Sequence, residues 1–230
     1  RQFPLKHYMD FVRHYEEEED YVVLSDIIGF LNHLYILFSG ETFWDEIKEF
    51  NQYFMQIVFQ RFGWEPIKGE KPTHALLRNS IIGSLGKLED QGIISESENL
   101  FSRFIKTGIL NPDLRSSVYS NIAWAGNLAT HRQLIKLYRE AKTQEEKIRF
   151  LGALANFKDE KLLKKTLAFT LSKEVRTQNL FVPISKMIAN PYGKSLVWPW
   201  VLLPLEILQV SMSAGESARS TAISKNPGFG

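Results

Sequence analysis

Residues 111–171 read NPDLRSSVYSNIAWAGNLATHRQLIKLYREAKTQEEKIRFLGALANFKDEKLLKKTLAFTL, and their spacing decides the fold. Asn111-Pro112 pairs a capping side chain with a proline at the first helical position, and Gly126 closes the segment. Between them Leu114, Val118 and Ile122 form one stripe, and after a short turn Leu134, Leu137, Tyr138 and Ala141 repeat the i, i+3, i+4, i+7 pattern. Thr143 and Glu146 make a capping box before Ile148, Leu151, Leu154 and Ala155, and a fourth helix carries Leu162, Leu163, Thr166, Leu167 and Leu171. Ser172 opens a third pair, with Phe181, Ile184 and Ile188 expected on one face. Pair starts at Asn111, Thr143 and Ser172 lie 32 and 29 residues apart. A helix pair that recurs at this interval and cannot bury its own apolar face predicts an all-α fold, an α-solenoid of antiparallel helix pairs of the HEAT or armadillo kind.

Upstream, residues 4–15, 21–38, 42–61, 73–89 and 95–107 read as further helices, with breaks at Gly40, Gly63 to Pro72, Gly92 and Gly108. About eleven helices follow from the periodicity. The apolar run YVVLSDIIGFLNHLYILF at 21–38 contains Asp26, Asn32 and His33, so it reads as a buried helix and not as a membrane span. The first residues already look helical without a signal pattern, which suggests a piece of a longer protein. The expected organisation is one helical-repeat domain over 1–210, followed at 211–230 by a flexible or altered tail too poor in large apolar side chains to dock firmly.

Composition excludes several chemistries. With 28 Lys plus Arg against 26 Asp plus Glu, the net charge of +2 over 230 residues gives no cationic surplus for tracking nucleic acid. The absence of Cys removes disulfides, thiolate metal sites and cysteine nucleophiles, and fits a cytoplasmic location. His7, His14, His33, His74 and His131 contain no i, i+4 pair, so no catalytic residues and no metal site are expected. The glycines of IIGSLGKL, at 81–88, lack phosphate-loop spacing and fit close helix packing. YEEEED, at 15–20, reads as a solvated helix junction.

Three stretches in register resemble one family. GWEPIKGEKPTHALLRNSIIGSLGKLED, the segment from NPDLRSSVYSNIAWAG to TLAFTL, and EVRTQNLFVPISKMIANPYGKSLVWPW are similar in order and spacing to the carboxy-terminal helical domain of gluzincin zinc aminopeptidases. That group includes aminopeptidase N, puromycin-sensitive aminopeptidase, the endoplasmic-reticulum aminopeptidases and the tricorn-interacting aminopeptidases. Asn179 stands where the family usually has Asp, and Pro199 and Pro204 interrupt a segment that the family keeps helical. The resemblance implies a non-catalytic domain that closes as a bowl over the zinc domain and contacts the distal part of peptide substrates. Zinc would then belong to the catalytic domain of the same polypeptide, because neither H-E-x-x-H nor Gly-x-Met-Glu-Asn occurs here. The expected partners are peptides and that catalytic domain, with neither nucleic acid nor membrane.

Arg115 and Tyr119, one turn apart, are candidates to meet a peptide carboxylate jointly, or else to pair and pack within the domain. Arg78, Arg176 and Gln178 carry the same two readings. A free-standing α-solenoid scaffold that binds proteins is the alternative to the aminopeptidase reading.

Overall fold

The computed structural model describes residues 5–197 of the chain. Among them every regular element is helical: α1 (Leu5–Val12), α2 (Tyr21–Leu37), α3 (Trp44–Phe62), α4 (Pro72–Lys87), α5 (Gln91–Thr107), α6 (Arg115–Ala125), α7 (Leu128–Glu140), α8 (Gln144–Leu154), α9 (Glu160–Thr170) and α10 (Phe181–Ile188). Short 3-10 turns occupy Arg13–Tyr15, Pro112–Leu114 and Thr177–Asn179. Residues 198–230, and with them Pro199, Pro204 and the expected tail, lie outside the described residues.

Local chemistry sets the helix starts. Asp20 at the end of the acidic run accepts from the Val22 and Val23 amides, satisfying two orphan donors of α2. Asp90, Asn127, Thr143 and Asp159 cap α5, α7, α8 and α9 in the same way. The reciprocal capping box lies at Asn127 and Thr130. At Thr143 only half of the expected box forms: its hydroxyl accepts from the Glu146 amide, while the Glu146 side chain turns toward Arg115 and Tyr119 of α6.

Helices two apart in sequence pack together, α2 on α4, α4 on α6, α6 on α8 and α8 on α10, while α3, α5, α7 and α9 each lie against the helix that follows. One apolar core therefore runs from Val12 to Val197. Its closest approach is at Gly86, where an added Cβ would sit 2.1 Å from the Asn121 Oδ1 atom of α6. The glycines of IIGSLGKL thus serve packing.

Three expectations shift. Gly92 lies inside α5, which starts four residues earlier than its stripe suggested; the break falls at Glu89, a non-glycine residue at φ +66°. Ile148 is 37% exposed, because α8 is wedged between α6, α7 and α10 and buries the run Phe150 to Leu154 instead of one stripe. In α10 Pro183 and Met187 turn inward, leaving Phe181 and Ile188 exposed, so the stripe read from the apolar letters is rotated.

Candidate functional site

Arg78, on α4, is almost fully buried. Its Nε donates to the Phe62 carbonyl at 3.1 Å, and its two terminal nitrogens grip Glu70 at 3.0 and 2.5 Å. The carbonyl is an orphan acceptor at the end of α3, so one guanidinium ties that helix end, the following loop and α4 together. The Arg78 hydrogen bond holds the Glu70 carboxyl below its ordinary value.

Arg115 and Tyr119 converge on one carboxylate, and it belongs to the chain itself. Glu146 of α8 accepts from Tyr119 at 2.6 Å, from Arg115 at 2.9 Å and from Arg149 at 3.2 Å. Burial opposes ionisation of Glu146, but the tyrosine and arginine donors outweigh it and hold its carboxyl below the usual range. Burial first, and the bond to this carboxylate second, push the Tyr119 phenol well above its ordinary value. The Tyr119 ring also stacks on Phe150 at 4.5 Å. Tyr119 is fully buried and Arg78 is 2% exposed, so both side chains are engaged within the domain, the second of the two readings open to them.

Arg176 precedes the 3-10 turn before α10 and Gln178 lies within it; both are exposed and neither hydrogen-bonds another described side chain. Asn179 beside them is buried, and its Nδ2 lacks a hydrogen-bond partner among the described residues. The five candidates therefore do not form one site: three are built into helix-to-helix ties and two stand at the surface.

Sequence reasoning missed two features of the same region. Glu89 accepts from Lys48 of α3 at 2.5 Å and from Lys158, just before α9, at 2.6 Å, and these lysines hold its carboxyl low. Nearby, Lys87 and Lys186 border a pocket of ≈350 Å³ lined from α2, α4, α6 and α10. The available signal was a lysine at the end of the inward-facing run IIGSLGKL. His131 is buried against Thr166 at 3.0 Å, and burial followed by the Lys165 charge pulls it down to about 4.

Among the described residues no three of His, Cys, Asp and Glu gather so that they could hold a metal ion, so these residues do not fit a zinc centre. No helix among them is long and apolar enough to cross a membrane.

Comparison with known proteins accounts for this arrangement. The model of the ERAP1-like C-terminal domain matches residues 1–225. Aminopeptidase M1-A of Oryza sativa subsp. japonica is 30% identical over 195 residues, covering 81% of this chain and 22% of that protein. Aminopeptidase M1 of Arabidopsis thaliana is 27% identical with the same coverage, and glutamyl aminopeptidase of Mus musculus is 28% identical over 84% of this chain and 21% of its own length. The chain thus spans about a fifth of the curated relatives it matches. A match over nearly its whole length shows that the chain belongs to the family of ERAP1-like C-terminal domains of M1 aminopeptidases.

Proposed function

We propose that the chain is the non-catalytic closing domain of a zinc-dependent aminopeptidase, in which stacked helix pairs form a HEAT-like bowl over the zinc domain and touch the distal part of the peptide. The observation that carries the reading is the family match across residues 1–225, set beside relatives that are aminopeptidases several times longer. The side-chain geometry supports it. A closing wall works by shape, and the Arg78–Glu70 and Arg115–Tyr119–Glu146 ties join neighbouring helices without presenting reactive groups. Direct peptide contact then falls to exposed Arg176 and Gln178, while Arg115 keeps one partly exposed edge. The cysteine-free composition fits the cytoplasmic location included in this proposal.

The test is to isolate the natural polypeptide by an antibody against this domain and measure its mass, zinc content and peptide hydrolysis. A polypeptide several times longer than 230 residues, carrying H-E-x-x-H upstream and one zinc, agrees with the proposal. A free 26.6 kDa chain bound to other proteins would replace it with the scaffold reading.

A further inference from the structure

Helix α2 is apolar on more than the side it buries. Leu24, Ile28, Leu31, Leu34 and Tyr35 face the core, where α2 packs on α3 and α4. Val22, Phe30 and Leu37 point away from it and are 62%, 46% and 56% exposed. A helix apolar on both sides belongs between two neighbours, and the described residues cover one of those sides.

At about 100° per residue, positions 22, 26, 29, 33 and 37 lie along one strip of the helix, with Phe30 at its edge. All six residues are exposed. Helix α1 touches only the edge, with the Tyr8 ring 4.7 Å from that of Phe30. At the middle of the strip Gly29 leaves an open hollow walled by Tyr8, Ser25, Asp26 and Phe30, and a Cβ added there would meet nothing within 4 Å. Asp26 and His33, the two polar members, make no hydrogen bond or ion pair among the described residues.

The order of these residues identifies the occupant. Val22 and Leu37, Asp26 and His33, and Gly29 and Phe30 are each placed symmetrically about the midpoint between residues 29 and 30. When two copies of α2 lie antiparallel about a two-fold axis through that midpoint, each residue comes level with the other member of its pair. Val22 then meets an apolar Leu37, the Asp26 carboxylate meets an imidazole N–H donor, and the bulk of Phe30 lies level with the gap at Gly29. Parallel pairing sets Asp26 beside Asp26, and an antiparallel shift of one turn sets it against Leu37, so other arrangements leave the carboxylate repelled or without a donor. We propose that the strip from Val22 to Leu37 is a self-association surface, on which two copies of the chain pair antiparallel through α2 with Asp26 of each copy bonded to His33 of the other.

One helix face a side makes a small interface, of the weak and reversible class. The proposal is independent of the peptide reading, because it uses none of the residues assigned to peptide. Sedimentation of the 230-residue chain over a hundredfold range of concentration should show a monomer–dimer equilibrium without larger species. Asp26→Lys and His33→Glu should each weaken association at least tenfold, since the first removes the acceptor and the second sets two carboxylates together. Mixed one to one, the two variants should associate as tightly as the parent chain, because a heterodimer restores complementary partners at both places. The chain has no cysteine, so Val22→Cys mixed with Leu37→Cys gives the orientation: a short thiol crosslinker should join the mixture in preference to either variant alone. Lys173→Gln, away from α2, should change nothing. A monomer at every concentration would overturn the proposal and assign the face to another part of a longer polypeptide. Dimers indifferent to both charge variants, or a mixture no tighter than either variant alone, would overturn it equally. Circular dichroism of each variant separates lost pairing from lost folding.

Discussion

Glu89 shows how much one residue can carry without a sequence signal. Its positive φ is unfavourable for a side chain with a Cβ, yet the position ends α4 and brings Lys48 and Lys158 together across 110 residues of chain. Glu89→Gln should keep the backbone strain, strand two partly exposed lysines and cost about 1 kcal/mol, an effect that shrinks in high salt. Urea unfolding at low and high ionic strength measures it, and a salt-independent loss would mean that the ion pairs are not its source. His131 gives a pH dependence of defined sign. Its folded value near 4 lies below the ordinary 6.5, so the unfolded chain takes up a proton first and stability falls as pH drops through that window. The shift corresponds to roughly 3 kcal/mol at about 1.4 kcal/mol per unit. Unfolding measured from pH 7 to 4 should lose this slope in His131→Asn. The Glu146 and Glu89 carboxyls, held low, add losses only further down, as pH falls through their folded values. These residues were illegible because their partners are distant in sequence. The chemistry of Arg115 with Tyr119 was legible, one carboxylate met by a guanidinium and a phenol, but the letters do not say whose carboxylate it is.

At the scale of elements, periodicity located α6, α7, α8 and α9, helped by two local caps, Asn111 on the 3-10 turn that leads into α6 and Thr143 on α8, which act within three residues of themselves; the Asn127 and Asp159 caps of α7 and α9 are added by the structure. Faces were harder. A single stripe describes a helix with one neighbour, whereas α8 has three and buries Phe150 through Leu154 continuously. Leu151→Ala, at a fully buried position, should cost about 2–5 kcal/mol, and the same change at Ile148 much less; equal losses in denaturant unfolding would contradict this account of α8. The α4–α6 contact offers a sharper pair. Gly86→Ala drives a Cβ into Asn121, which two hydrogen bonds to the Ile82 carbonyl and Ser97 hold in place, so about 1–3 kcal/mol should be lost. Gly83→Ala meets nothing nearer than 3.7 Å, so the better helix propensity should prevail and stabilise by up to about 1 kcal/mol. Thermal unfolding that ranks the two variants the other way would show that the helices do not approach at Gly86.

For the whole molecule, the helical class was readable from the roughly thirty-residue recurrence because each pair leaves an apolar face that only another pair can cover. The family was readable from three motifs in register, and its match to residues 1–225 makes the missing zinc motif intelligible: the relatives are about five times longer than the part this chain covers. The pocket between α2, α4, α6 and α10 was not readable, since it joins residues 32 through 191, which no linear pattern displays. The central claim is that this domain shapes a peptidase without performing its chemistry. The most direct measurement is hydrolysis of a fluorogenic aminoacyl substrate by the purified 230-residue chain with zinc supplied, alongside metal analysis of the same sample. The account predicts hydrolysis at the background rate and no stoichiometric zinc; one tightly bound zinc per chain with chelator-sensitive turnover would contradict it.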